Sequence, residues 1–286
     1  MSVSSPRPFI LSQHVAPQHR LSRFAGRFAN SERPWLRDRL IRRFIEAYDV
    51  NMDEAAQPEG TFRSFNDFFT RALKPGARAL ADTSTDVICP ADGEISQIGH
   101  IHRGRIVQAK GQSYTVRELV GGEEALAKRF DGGNFATVYL SPSDYHRVHM
   151  PCTGTLTETV HIPGDLFSVN TTTADHVDRL FARNERMSCV FDTPHGAMAS
   201  VMVGAMIVAS IETVWGGLAK AHGKHPVAVD YSHDIQAPRL DAGAEMGRFL
   251  LGSTVILLFE PSKVEWDESL EPGTIVRMGQ SMGRWL

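Results

Sequence analysis

Three polar groupings in this 286-residue chain lie inside or beside apolar runs, where a polar side chain must be satisfied or used. The first is the step Gly252-Ser253-Thr254, set between Phe249-Leu250-Leu251 and Val255 to Phe259. A glycine bulge with satisfied hydroxyls accounts for such a step. So does a flexible peptide at Gly252 whose carbonyl the Ser253 hydroxyl can attack. The second is SPSDYHRVHMP, Ser141 to Pro151, which puts His146 and His149 three residues apart. Imidazoles at that spacing serve structure, metal ligation or proton transfer near neutral pH. No acidic or cysteine third ligand follows at a familiar zinc spacing, which counts against the metal reading and leaves the other two. The third is Asp92 in Pro90-Ala91-Asp92-Gly93, where Asp-Gly is also ordinary turn chemistry.

Positioning these groups falls to a β-rich stretch after residue 80. Residues 86–98, 105–110, 136–140, 154–162, 198–211 and 250–259 read as strands, and 116–119, 123–130 and 174–181 as short helical insertions. Strands do not alternate with long helices, so a doubly wound parallel sheet is disfavoured. The expected class is α+β: a predominantly antiparallel β core of sandwich or barrel type, preceded by an N-terminal amphipathic helical region. In that region Leu21, Phe24, Ala25 and Phe28 follow helical spacing, and Leu40, Ile41, Phe44 and Tyr48 repeat it after Pro34. A third helix is expected from the N-cap Ser64, with Phe65, Phe68, Phe69 and Leu73 on one face, ending at Lys74-Pro75-Gly76.

The formal charge of -3 is unevenly spread. Residues 1–80 carry an excess of five basic side chains, and eight arginines between Arg20 and Arg43 face only Glu32 and Asp38. Ordinary core packing accounts for the apolar stripes. Arginine opposite Phe and Leu is also the composition of a helix lying on an anionic lipid surface. The chain divides on this basis into residues 1–80, helical and membrane-associating, and residues 81–286, the catalytic β-rich part. Without an overall basic bias, nucleic acid is not an expected partner. Cys89, Cys152 and Cys189 are too far apart for a disulfide framework or a cysteine zinc site. The apolar stretch Phe9 to Leu11 is too short for an export signal, and no apolar run reaches the ~20 residues that span a bilayer.

The runs EMGRFLLGSTVILLF, YLSPSDYHRVHMP, IPGDLFSVN, LFARNER, VGAMIVASIETVW and FNDFFTRALKPGAR, independent motifs that stand in the family's order over roughly residues 60–280, together resemble the bacterial phosphatidylserine decarboxylases. The LGST element carries most of that resemblance. His195 and residues 220–242 match less well, and no role is carried to them.

The resemblance implies self-cleavage between Gly252 and Ser253 by a triad of Asp92, His149 and Ser253, in which Asp92 orients the imidazole, His149 takes the hydroxyl proton and Ser253 Oγ attacks the Gly252 carbonyl. Ser253 would become an N-terminal pyruvoyl group, the only cofactor, with no metal. That group would hold phosphatidylserine as a Schiff base while CO2 leaves, and His146 would deliver the proton that completes phosphatidylethanolamine. Phe167 would lie near the substrate. The products of cleavage would be a β chain of residues 1–252 and an α chain of residues 253–286, held as a heterodimer that two copies could pair. The expected location is peripheral, on the cytoplasmic side of the cell membrane, against phosphatidylserine in an anionic bilayer. Two other readings stay open: a serine hydrolase or peptidase using the same three residues, and a lipid-binding protein that does not mature.

Overall fold

Antiparallel pairing dominates the computed structural model, which describes residues 7–109, 111–205, 211–219, 223–250 and 253–286. The chain opens with helices α1 (Arg7–Val15), α2 (Gln18–Ala29), α3 (Pro34–Tyr48) and the short α4 (Phe65–Phe69). Strands β1 (Asp86–Ile88), β2 (Gly93–His100), β3 (Arg105–Ala109) and β4 (Gln112–Thr115) follow, then helices α5 (Val116–Val120) and α6 (Glu124–Arg129). Next come β5 (Asn134–Leu140), β6 (Arg147–His149) and β7 (Gly154–Ile162), helices α7 (Thr171–Ala174) and α8 (Leu180–Arg183), and the hairpin β8 (Arg186–Thr193) and β9 (Gly196–Val203). The rest is β10 (Ile211–Thr213), β11 (Gly217–Leu218), β12 (Val227–Asp230), β13 (Arg239–Leu240), β14 (Glu245–Phe249), β15 (Ser253–Phe259), β16 (Val264–Trp266), β17 (Ile275–Val276) and β18 (Ser281–Trp285).

A nine-stranded sheet forms the centre, in the order β12-β7-β8-β9-β15-β5-β2-β17 with β13 also on β7. Smaller sheets β11-β10-β14-β6 and β1-β18-β16 accompany it. All seven residues of β15 are buried, because both faces of this strand are covered. Val255, Leu257 and Phe259 join a cluster with Val148, Met150, Met246, Phe249 and Met282 from the smaller sheets. Ile256 and Leu258 point the other way, into a cluster with Leu119, Leu126, Phe130, Leu180 and Phe181 from the helical insertions. The architecture is therefore α+β with layered antiparallel sheets, and no barrel closes.

Several local expectations change. The run 86–98 breaks into β1 and β2, and of 250–259 the described strand is Ser253–Phe259, with 251–252 outside the described residues. The single helix expected over 174–181 is two short ones: Asn170 Oδ1 caps the first by accepting from Thr173 N at 2.9 Å, and Arg179 precedes the second with φ 51°. Ser64 does cap α4, accepting from Asp67 N at 3.1 Å. That helix nevertheless stops at Phe69, and Leu73 instead bridges to Ala55. A further helix, α1, precedes the two expected ones.

The N-terminal helices build their own core of Ile41, Phe62, Phe65, Phe68 and Phe69, with Phe44 edge-on to Phe65. The stripe on α3 is thus divided, with Ile41 buried against α4 and Tyr48 exposed. The stripe on α2 faces outward: Leu21, Phe24 and Phe28 are all exposed, as are Phe9, Leu11 and Trp35.

Candidate active site

Ser253 opens β15 opposite Leu140, the last residue of β5. It is fully buried and its Oγ has no hydrogen-bond partner. Thr137, Ser188, Ser200 and Thr254 in the same sheet also have unpaired buried hydroxyls, so what singles out Ser253 is its place directly after Gly252 at the head of β15. Gly252, the carbonyl side of the expected scissile bond, lies with Leu251 outside the described residues.

Both histidines come from the turn and strand that follow β5. His146 is fully buried, with its ring 4.0 Å from that of Phe69 at the end of α4. Its Nδ1–H donates to the Asp144 carbonyl at 2.8 Å, while Nε2 has no partner. Burial pushes the pKa of His146 down to about 3, with Arg71 adding to the effect against the Asp144 bond. The ring is therefore a neutral imidazole with an unused lone pair on Nε2. The backbone ties this turn to the nucleophile's approach, since Phe249 N donates to the His146 carbonyl at 3.0 Å.

His149 lies in β6 opposite Glu245 of β14. Its Nδ1–H donates to the Gly243 carbonyl at 2.8 Å, and Nε2 accepts from the Tyr145 hydroxyl at 2.9 Å. Desolvation lowers its pKa, partly offset by the Gly243 bond. The imidazole is thus oriented by a carbonyl, with the phenol of Tyr145 on the nitrogen that would act as base.

Asp92 sits at the head of β2, where Gly93 allows the strand to start hard against β5: a Cβ there would lie 2.1 Å from the Tyr139 carbonyl oxygen. Its carboxylate does not meet His149 directly. Arg78 Nε donates to Asp92 Oδ1 at 3.0 Å, Arg78 Nη2 pairs with Asp92 Oδ2 and with Glu54 at 2.7 Å, and Met278 N donates to Oδ1 at 2.9 Å. The hydrogen bond to Asp92 raises the pKa of Arg78 further. Asp92 therefore neutralises a buried cation and acts on His149 through the field alone. Beside it, Arg71 is buried with Nε and Nη1 unpartnered, its Nη2 donating to the Ser143 carbonyl at 3.2 Å.

Phe167 is buried in the helical-side cluster, its ring beneath the Arg183 guanidinium at 4.8 Å and edge-on to His14. The segment around it is strapped to the helices by Gln18, which accepts from Leu166 N at 2.6 Å, and Gln13, which accepts from Ser168 N at 2.8 Å. From inside, Asn184 Nδ2 donates to the carbonyls of Phe167 at 2.8 Å and Gly204 at 2.9 Å. The structure thus brings His146, His149 and Ser253 around the β5–β6 and β14–β15 ends, and places Phe167 on the opposite layer. Tyr145, Arg78 and Asn184 escape sequence reasoning, although each lies within a motif quoted for other residues.

The family model for phosphatidylserine decarboxylase matches residues 65–284, and a second, described as PSD, matches residues 8–49. The chain belongs to the phosphatidylserine decarboxylase family. A phosphatidylserine decarboxylase proenzyme of Pseudomonas fluorescens is 55% identical over 279 residues, covering 97% of both chains. One from Bordetella pertussis is 55% identical over 276 residues, 96% of this chain and 93% of its own. One from Pseudomonas entomophila is 55% identical over 278 residues, 96% of this chain and 97% of its own. Membership covers the N-terminal helices as well as the β core, so the arginine-bearing helices are part of the family's chain.

Proposed function

We propose that this chain is the precursor of a phosphatidylserine decarboxylase that cleaves itself between Gly252 and Ser253. The observation that carries the reading is Ser253 itself: a fully buried, unpartnered hydroxyl at the first residue of a central strand, within the family's match. In the cleavage, Ser253 Oγ bonds to the Gly252 carbonyl carbon, its proton passes to His149 Nε2, and the Gly252–Ser253 amide bond breaks to leave an ester. Tyr145 must release Nε2 for that transfer. Loss of the ester from Ser253 and hydrolysis of the resulting dehydroalanine leave ammonia and the N-terminal pyruvoyl group.

The orphaned Ser253 Oγ and the free His146 Nε2 fit such a group. When present, its ketone supplies an electron sink for the pair released as CO2 departs. A proton reaches the carbon that has lost CO2 through His146 Nε2, the unpartnered nitrogen of that ring. Residues 81–286 hold this machinery. Residues 1–80 form a layer that meets the cytoplasmic face of the membrane through α1 and α2, whose exposed apolar side chains lie among arginines. No helix of the described residues is long and apolar enough to cross a membrane.

The family match argues against a hydrolase working through the same three residues. Denaturing electrophoresis with intact mass measurement of wild type and Ser253→Ala tests the reading. Wild type gives chains of residues 1–252 and 253–286 and releases CO2 from phosphatidylserine, whereas Ser253→Ala stays whole and inactive. A wild-type protein that decarboxylates while remaining one polypeptide would overturn it.

A further inference from the structure

A cavity of about 650 Å³ lies between α2, the segment 163–165 and the residues Ala219, Gly223 and Lys224. Its size suits a small-molecule headgroup. His19, Arg23 and Lys224 line it from the outside, and Gly164, Asp165 and Glu185 from the inside. The two acids are already engaged: Glu185 Oε1 is 3.2 Å from His161 Nε2, and Asp165 pairs with Arg183 at 2.9 Å. His19 Nε2–H donates to the Gly164 carbonyl at 3.0 Å, which fixes α2 against the inner wall. Arg23 and Lys224 are exposed and have no ion-pair partner among the described residues. The uncommitted charge of the cavity is positive.

Strand register connects this cavity to Ser253. Arg186 pairs with Val203 and Val203 with Thr254, and Gly204 N donates to the Glu185 carbonyl at 2.9 Å. Glu185, Gly204 and Ser253 therefore follow one another across three neighbouring strands, about 10 Å from end to end at the usual strand spacing. They also share a face. Met187, Cys189 and Phe191, in step with Glu185, lie in the same cluster as Val255, Leu257 and Phe259, in step with Ser253. A headgroup whose amine meets residue 253 and which runs along this face is directed toward Glu185 and the cavity it lines.

We propose that Arg23 and Lys224 bind the phosphodiester of the lipid headgroup, a reading that rests on the decarboxylase function above. A lipid-borne phosphate is favoured over a free one because α2, which supplies His19 and Arg23 on one flank, exposes Leu21, Phe24 and Phe28 on another. Arginine and lysine on the rim of one cavity are suited to a phosphate held at the membrane surface.

The test uses the matured enzyme and dihexanoyl-phosphatidylserine below its micellar concentration, so that membrane attachment plays no part. Arg23→Gln and Lys224→Gln should each raise KM roughly tenfold, the loss of one charge-assisted contact, with kcat and the extent of chain cleavage unchanged. Arg103→Gln, an exposed turn residue away from the cavity, controls for net charge. Inorganic phosphate should inhibit wild type competitively and the double variant far less. A wild-type KM in the double variant, or an equal rise in Arg103→Gln, overturns the assignment, and so does inhibition by inorganic phosphate without any KM effect. Calorimetric binding of glycerophosphoserine to the uncleaved Ser253→Ala chain, with and without the two substitutions, reads the site even if wild type releases no CO2. Failure of the decarboxylase reading is thereby separable from failure of this one.

Discussion

His146 and Asp92 are both buried, but burial acts on them in opposite ways. The His146 pKa, pushed down to about 3, means that the folded protein resists protonating a ring that the unfolded chain protonates near its ordinary value of 6.5. Its contribution is fully favourable above about pH 6.5 and is lost as pH falls toward 3, by up to ~1.4 kcal/mol per pH unit. His149, also lowered by desolvation, acts in the same direction. In the uncleaved Ser253→Ala background, urea midpoints at pH 7 and pH 5 should therefore diverge less for His146→Asn than for the parent; equal divergence would show that the ring does not resist protonation. In the self-cleaving chain, His146→Ala should still mature but decarboxylate ~10²–10⁴-fold more slowly. Asp92 is anchored by Arg78 and Met278 N, so its removal leaves the buried Arg78 guanidinium on Glu54 and leaves Met278 N unpaired. Asp92→Ala should cost ~1–3 kcal/mol of stability even with Ser253→Ala, where no cleavage can intervene. A wild-type denaturation midpoint for that pair of substitutions would restrict Asp92 to catalysis. The identities of Asp92, both histidines and Ser253 were legible from residue type and motif. Their partners were not, because Gly243 and Met278 contribute backbone atoms from distant strands and leave no side-chain signature.

Among the elements, α2 and α3 divide the work that sequence spacing assigned to them equally. Ile41 is buried on the Phe65–Phe69 cluster, whereas Phe24 and Phe28 stack edge-to-face on the outside with ring centroids 4.8 Å apart. A periodic stripe shows that a helix has an apolar face but not what covers it, and here one is covered by protein. Arg37 is likewise committed, pairing with Asp38 at 2.7 Å, while Arg39, Arg42 and Arg43 are exposed. Replacing those three by Gln should weaken binding to anionic vesicles by ~1 kcal/mol each in low salt and have little effect in high salt. Phe24→Ser with Phe28→Ser should instead remove the salt-resistant part. Co-sedimentation with neutral and anionic vesicles separates the two, and equal binding by all variants would place this face against protein. The same difference between local and tertiary information explains the other misjudged elements. The strands over 154–162 and around 134–140 are long and rich in β-branched and aromatic residues, so their pattern survives. The 174–181 helix does not, because the Asn170 side chain and the left-handed backbone at Arg179 punctuate it.

Over the whole molecule, the change in composition near residue 80 marks a change in surface and secondary structure, while the contacts run across it. Phe69 lies on His146, Arg147 Nε donates to the Thr70 carbonyl at 2.8 Å, and Arg78 holds Asp92. The bond proposed to break has an equally integrated setting. The fragment 253–286 supplies β15 between β9 and β5, β17 against β2, and β18 between β1 and β16, while Arg277 reaches Glu54 at 3.1 Å. Cleavage leaves these ladders in place, so the two chains should co-elute as one particle and separate only when the fold is lost. Unfolding of the intact Ser253→Ala precursor is unimolecular, and its midpoint should not depend on protein concentration. Unfolding of the matured protein releases two chains, so mass action requires its midpoint to rise with concentration. Reversible urea titrations of both forms across a wide concentration range measure the difference. A concentration-independent midpoint for the matured protein would mean that the short chain either remains bound after unfolding or contributes nothing to stability. The second outcome is incompatible with a buried central strand.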